Sequence, residues 1–277
     1  MEDLSGRVYV ITGGGTGIGH AIAQQVGRRG ATVVLASRTA DHLEPAAGEL
    51  RDAGIAADIR VVDVRNADQV QQMIDSVTQS FGRLDGLVNN AAGNFVAPAE
   101  RISANGWRAV VDIVLNGTWY CTSAAGRWWL ENEQPGVVLN VIATYAWTGH
   151  PGTVHSAAAK AGVLAMSRTL AVEWAHRRIR VNCLAPGPTD TDGAGAALWN
   201  VPEQRDTVTS SVPWRRIASP QEIADIAAFL LSDRADYVTG EVLTADGGQW
   251  LGKQVYGDPV IPLGALVASD VSESTTG

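Results

Sequence analysis

From residue 8 to residue 30 the chain runs an apolar strand into a glycine-rich turn and then a helix, an order that few folds accept. Val8-Tyr9-Val10-Ile11 is short, apolar and rich in β-branched residues, the pattern of a parallel strand buried on both faces. Thr12-Gly13-Gly14-Gly15-Thr16-Gly17-Ile18-Gly19 follows at once. His20 to Arg29 then reads as a helix that Gly30 can stop. Glycines 13, 17 and 19 let the backbone turn sharply and approach a pyrophosphate at the helix N-terminus. A glycine-rich turn alone could be only a loop; the strand before it and the helix after it favour phosphate binding.

The rhythm continues along the chain. Strand-like runs fall at about 7–12, 32–36, 58–62, 85–89, 137–142, 179–184 and 241–245. Helical stretches lie between them at about 17–29, 41–53, 67–81, 103–131, 155–177 and 220–231. This alternation predicts an α/β fold: a Rossmann-type, doubly wound parallel sheet in three αβα layers. At 277 residues the chain fits one domain spanning 1–277. Gly187 to Ser219 breaks the rhythm with Gly, Pro, Thr and Asp and reads as an irregular substrate lid at about 187–219. The tail at about 251–277 is expected on the surface or against a partner subunit.

Composition narrows the function. A net charge of −8 argues against general nucleic-acid binding but permits a local basic pocket for a phosphorylated ligand. Cys121 and Cys183 are the only cysteines, and the five His are scattered, so no disulfide framework or metal site is expected. No apolar run reaches membrane-spanning length, and the N-terminus has no signal-peptide pattern. A soluble, reducing, cytoplasmic setting is the expectation; Ser274-Thr275-Thr276-Gly277 is not a peroxisomal address. The lysines are Lys160 and Lys253, which makes the mid-chain Lys160 stand out.

The second strand-like run ends Ala36-Ser37-Arg38, without the carboxylate that would hold a ribose 2′-hydroxyl. Arg38 can instead pair bidentately with a 2′-phosphate, which predicts NADP(H) over NAD; the other reading is a surface arginine at a strand end.

Taken together, Thr12–Gly19, Asp63-Val64, Asn89-Asn90-Ala91, Asn116-Gly117, Lys160, Asn182 and Pro186-Gly187 resemble the short-chain dehydrogenase/reductase superfamily over roughly residues 5 to 250. The resemblance implies that Gly13, Thr16, Gly17 and Ile18 meet the cofactor phosphates, with Ser37 and Arg38 at the 2′-position. It also places Asp63 and Val64 beside the adenine and Asn90 and Ala91 along the ribose. Thr189, just after Pro186-Gly187-Pro188, would meet the nicotinamide carboxamide.

The usual family site has a Ser, then a Tyr thirteen residues on, then a Lys four further. Counting back from Lys160, the Tyr position holds Ser156 and the Ser position holds Ala143; Thr144 is one residue off. A different tyrosine, Tyr145, lies fifteen residues before Lys160. With Asn89-Asn90-Ala91-Ala92-Gly93-Asn94-Phe95 and Asp112 to Thr118, this arrangement resembles the flavin-free, NADPH-dependent 2,4-dienoyl-CoA reductases. That resemblance implies an acyl-CoA-like substrate, a place in fatty acid β-oxidation and a homotetramer. Tyr145 and Asn94 would stabilise a dienolate, and Lys160 would hold the nicotinamide ribose. Ser156 would bond substrate or Tyr145, and Asn116 would fix Lys160 through water.

Plainer readings stand beside each role. Tyr145 could be a loop aromatic, Asn94 a turn residue and Ser156 a helix N-terminal residue. Asp112 reads as a packing or capping residue rather than a substitute acid. Trp107, Trp119, Trp128, Trp129 and Trp147 read as core or interface, with Trp128 and Trp129 on an oligomerising helix. Trp199 and Trp214 could line an acyl pocket, and Arg101, Arg215 and Arg216 could meet CoA phosphates. Two other functions stay open: a short-chain oxidoreductase acting on a different ketone or enone, and a non-catalytic NADP-binding protein. An enoyl-carrier-protein reductase pattern, with Tyr seven residues before Lys, is disfavoured because that position is Thr153.

Overall fold

The computed structural model describes residues 3–191 and 202–252. Seven strands form one parallel sheet: β1 (Val8–Thr12), β2 (Thr32–Ser37), β3 (Ala57–Val61), β4 (Gly86–Asn89), β5 (Gly136–Val141), β6 (Ile179–Pro186) and β7 (Val242–Ala245). Their order across the sheet is β3-β2-β1-β4-β5-β6-β7. Successive side chains of a strand point to opposite faces, and β1 feeds two cores in that way. Tyr9 and Ile11 are buried on one side, with α1 (Gly17–Gly27) and α2 (Ala40–Asp52). Val8 and Val10 are buried on the other, with α3 (Ala67–Phe81). The result is three layers, helix–sheet–helix. From β1 the chain winds first toward β2 and β3, then back to β4 and outward to β7. The strand ends at β1 and β4 therefore border the crevice where ligands bind in doubly wound sheets.

The expected strands all appear, with ends shifted by no more than a few residues. The expected helix at 103–131 is interrupted. It consists of α4 (Ala104–Val111), a π-helical turn (Asp112–Asn116) and α5 (Gly117–Glu131). π-Turns insert one extra residue and recur at functional sites. Beyond β5 comes a four-residue helix, α6 (Tyr145–Thr148), and then the long α7 (Val154–Trp174). The stretch read as irregular contains a helix, α8 (Pro202–Ser211), whose polar, largely exposed surface gives no apolar stripe to read. Residues 192–201 of the expected lid, with Trp199, and residues 253–277 of the expected tail, with Lys253, lie outside the described residues. The last α-helix among the described residues, α9 (Pro220–Leu231), packs on α1 and opens with a capping box between Ser219 and Glu222.

Trp129 belongs to the core rather than to a surface interface. It is fully buried, its indole N–H donates to Leu84 O at 2.7 Å, and Gly136 lies against its ring. A Cβ on Gly136 would stand 2.4 Å from the Trp129 ring. Trp128 is half-buried, while Trp107 and Trp119 are exposed.

Below the crevice a buried polar network crosses the sheet. Asn89 donates to Asn140 at 2.8 Å and to Thr122 at 2.9 Å, and Asn140 donates to Ser167 at 2.8 Å. Asn182 is also buried, and its two bonds run to Val238 O and from Glu241 N–H. It holds β6 to the segment that leads into β7. No described helix is long and apolar enough to cross a membrane.

Candidate active site

The crevice is a cleft of about 510 Å³ above the ends of β1 and β4. One wall is the glycine-rich turn, with Gly13, Thr16, Gly17 and Ile18. Gly13 has φ +62°, and a Cβ on it would fall 2.9 Å from Asn90 Nδ2 and 3.2 Å from Ala91 Cα. Only glycine fits that close approach. The opposite wall is tied to the turn. Thr12 Oγ1 accepts the N–H groups of Asn90 and Ala91, both at 3.0 Å, and donates to Val88 O at 3.2 Å. Asn90 Nδ2 donates back to Thr12 O and Gly13 O, both at 3.1 Å.

At the outer end, Ser37, Arg38, Asp63 and Val64 line the same cleft. Arg38 is exposed, and no described residue hydrogen-bonds to it. The Asp63 carboxyl is held below its usual range, first by its hydrogen bonds from Arg65 and also by the charge of Arg38. These features suit a dinucleotide: a backbone approach that a Cβ would block, and an exposed arginine to which no described residue hydrogen-bonds. Asn94, Ile113 and Thr191 line the cleft as well.

The remaining polar groups gather on α6 and α7. Tyr145 begins α6, and its hydroxyl lies 3.1 Å from Ser156 Oγ on α7. Lys160 stands one turn further along α7, buried, with its ammonium donating to Val141 O at the end of β5. Burial raises the Tyr145 phenol, and the bond to Ser156 opposes that rise. The phenol is therefore a neutral hydrogen-bond donor at neutral pH. Asn116 donates to Asp112 Oδ1 at 2.8 Å within the π-turn, which packs on α7, so Asp112 serves Asn116.

The structure thus brings Tyr145 and Ser156 into contact and sets Lys160 on the same helix. Asn94 stays apart from that contact: it lies in the cleft, its carbonyl oxygen accepting Phe95 N–H at 2.9 Å, and its amide N–H₂ has no partner among the described residues. Thr189 does not line the cleft. It is buried, and its hydroxyl donates to Gly187 O at 3.0 Å. Thr191, two residues on, lines the cleft wall against Gly17. Gly187 packs against the segment after β7: a Cβ on it would stand 2.7 Å from Asp246 Cα.

Among the residues suggested for CoA, Arg216 is paired with Glu222 at 2.6 Å and Arg215 donates to Ser210 O. Arg101 is exposed at the end of a short 3₁₀ turn. Trp214 lines a second, apolar cavity of about 1040 Å³ with Val212 and Trp250, distinct from the cleft. Trp147 packs edge-on against Trp250, ring centroids 5.7 Å apart, and so joins α6 to that cavity wall.

Burial pushes Lys160 down to about 8 from its ordinary 10.5, with Cys183 opposing the shift. Between pH 8 and 10.5 the unfolded chain then holds a proton that the folded cofactor-free chain has lost, so this group makes stability rise with pH across that window. Burial raises the thiols of Cys183 to about 11 and Cys121 to about 12, and these act in the opposite direction above pH 9. The expected result is therefore a difference. From pH 8 to 10 the melting temperature of the wild type gains on that of Lys160→Met. Parallel melting curves would contradict it.

A family model described as enoyl-(acyl carrier protein) reductase matches residues 13–249. A probable 2,4-dienoyl-CoA reductase of Bacillus subtilis (strain 168), named as (2E)-enoyl-CoA-producing, is 46% identical over 88% of this chain and 97% of its own. The peroxisomal 2,4-dienoyl-CoA reductase of Arabidopsis thaliana, named as (3E)-enoyl-CoA-producing, is 39% identical over 90% of this chain and 86% of its own. Among solved structures, a short chain dehydrogenase from Bacillus anthracis is 47% identical, with TM-score 0.82 over 88% of this chain and 96% of that one. A Beutenbergia cavernae protein crystallised with NADP at low occupancy is 36% identical, with TM-score 0.85 over 91% of this chain and 99% of that one. Matching motifs, sheet order and relatives agree: the chain belongs to the short-chain dehydrogenase/reductase family of oxidoreductases.

Proposed function

We propose that the protein is an NADPH-dependent reductase of a conjugated dienoyl thioester, acting in the manner of a 2,4-dienoyl-CoA reductase. The observation that carries this reading is the hydrogen bond between Tyr145 and Ser156, with Lys160 one turn beyond. A tyrosine from the β5–α7 segment is turned onto the very residue that has displaced the usual one. The reduced nicotinamide, when bound, supplies a hydride. The rest falls to side chains of this chain. Hydride arriving at the far end of the diene moves negative charge onto the thioester oxygen, and donors aimed at that oxygen lower the barrier. Tyr145 O–H and the free Asn94 amide are the donors in this reading. Ser156 orients the Tyr145 hydroxyl, and Lys160 meets the nicotinamide ribose. The π-turn holds Asn116, which steadies Lys160 through water. Arg38 and Ser37 take the 2′-phosphate.

Protonation of the dienolate at the α-carbon gives a 3-enoyl thioester, and at the γ-carbon a 2-enoyl thioester. We place the proton at the α-carbon. The assembly expected is a homotetramer in a soluble, cytoplasmic setting, and the pathway is fatty acid β-oxidation.

A second reading, a reductase of carrier-protein thioesters, takes support from the description of the matching family model. Thr153 stands where that chemistry would keep a tyrosine, and it is buried with its hydroxyl on His150 O. The test is NADPH oxidation with a 2,4-dienoyl-CoA, the matching carrier-protein thioester and a 3-ketoacyl-CoA, with the product double bond located by NMR. The expected outcome is turnover of the dienoyl-CoA to a 3-enoyl product and none of the ketoacyl ester. Preference for the carrier-bound ester would support the second reading, and turnover of the ketoacyl ester alone would overturn both.

A further inference from the structure

His155 is fully buried, and neither of its ring nitrogens has a hydrogen-bond partner among the described residues. A neutral imidazole carries one donor and one acceptor, and burying both without a protein partner is costly enough to require an explanation. What the ring does touch is Phe95, with centroids 4.3 Å apart and planes at 78°, an edge-to-face pair. Such a pair offers a polarised ring edge to a π face, which a leucine of similar size cannot do.

The chain neighbours of this pair matter. Phe95 directly follows Asn94, and His155 directly precedes Ser156. Phe95 is also backed by α4, where a Cβ on Gly106 would come within 3.1 Å of the Phe95 ring. Two further contacts run the same way. Ala97 N–H donates to Gly152 O at 3.0 Å, and a Cβ on Gly152 would stand 2.9 Å from Val96. The loop carrying Asn94 is therefore fastened to the start of α7 at successive residues.

We infer that His155 is a positioning residue: its imidazole, in edge-to-face contact, fixes Phe95 and thereby holds the Asn94 amide in register with Ser156 and Tyr145. This rests on the reading of Asn94 as a donor to the thioester oxygen. The imidazole acts through Phe95 and takes no part in the chemistry.

The test compares wild type, His155→Leu, Phe95→Leu and the double variant with a 2,4-dienoyl-CoA. His155→Leu is expected to lower kcat about tenfold, less than the 10²–10³ lost with a whole donor. The Kd for NADPH and the KM for NADPH should hold within about twofold. Phe95→Leu should give a similar loss, and the double variant little more, because both act through one contact. A second readout needs no turnover. The side-chain amide signal of Asn94, identified by its absence in Asn94→Asp, should shift in His155→Leu. Unchanged kcat in His155→Leu, additive losses, or weakened NADPH binding alongside them would each overturn the inference. Inertness of the wild type toward dienoyl-CoA would defeat the functional reading instead. The Asn94 signal then decides: movement keeps the positioning role, and an unmoved signal ends it.

Discussion

Tyr145→Phe lowers kcat for dienoyl-CoA reduction by about 10²–10³-fold, while the Kd for NADPH stays within twofold. That range is the usual loss for one donor to a developing oxyanion, roughly 3–4 kcal/mol. The substitution removes one oxygen and keeps the ring, so packing around α6 is retained. Its effect on stability is small, because the only described partner of the hydroxyl is Ser156 Oγ at 3.1 Å. Ser156 is buried, and losing that partner costs on the order of 1 kcal/mol. A neutral phenol is required for the role, and the burial that raises Tyr145 keeps it protonated well above neutral pH. Steady-state kinetics and a fluorescence titration with NADPH separate the two quantities. A kcat equal to that of the wild type would remove Tyr145 from the mechanism and leave the Ser156 contact as simple packing.

Arg38→Ala raises the KM for NADPH about 10- to 100-fold and leaves that for NADH unchanged. A charge-assisted hydrogen bond contributes about 1.5–3 kcal/mol, which sets the range. The folded protein loses nothing comparable, since Arg38 is exposed and spends no hydrogen bond on a described neighbour. Asp63 keeps its pairing with Arg65 when the Arg38 charge is gone, so the cleft wall stays in place. The ratio of the two KM values reports the outcome. If NADPH and NADH weaken together, Arg38 acts on the general shape of the cleft and the 2′-phosphate assignment fails.

The sheet was legible because its signals are local. Val8–Ile11, the glycines behind it and the recurring β-branched runs obey short periods, and each strand follows from its own residues. Lys160 was legible for a different reason, as a rare residue at a motif spacing. What escaped depends on contacts between distant segments. The burial of Trp129 requires Gly136 and the Leu84 carbonyl to meet in space. The π-turn at Asp112–Asn116 leaves a helical composition intact, so no breaker marks it. Helix α8 is polar around its surface and lacks the stripe that announces a helix. The bridge between Thr189 and Ala218 after β6, with Thr191 on the cleft wall, likewise depends on segments distant in sequence. His155 could not be read at all: a histidine in the first turn of a helix tells nothing of whether its nitrogens will find partners.

Thr12 ends the first strand with a hydroxyl whose bonding capacity is already spent, one donated and two accepted. Nothing is left on that side chain to offer a guest. Recognition at the start of the turn must therefore come from main-chain N–H groups, whose orientation the hydroxyl guarantees by clamping two strands that are far apart in the chain. The mouth of the crevice thus has a set gauge before any ligand arrives.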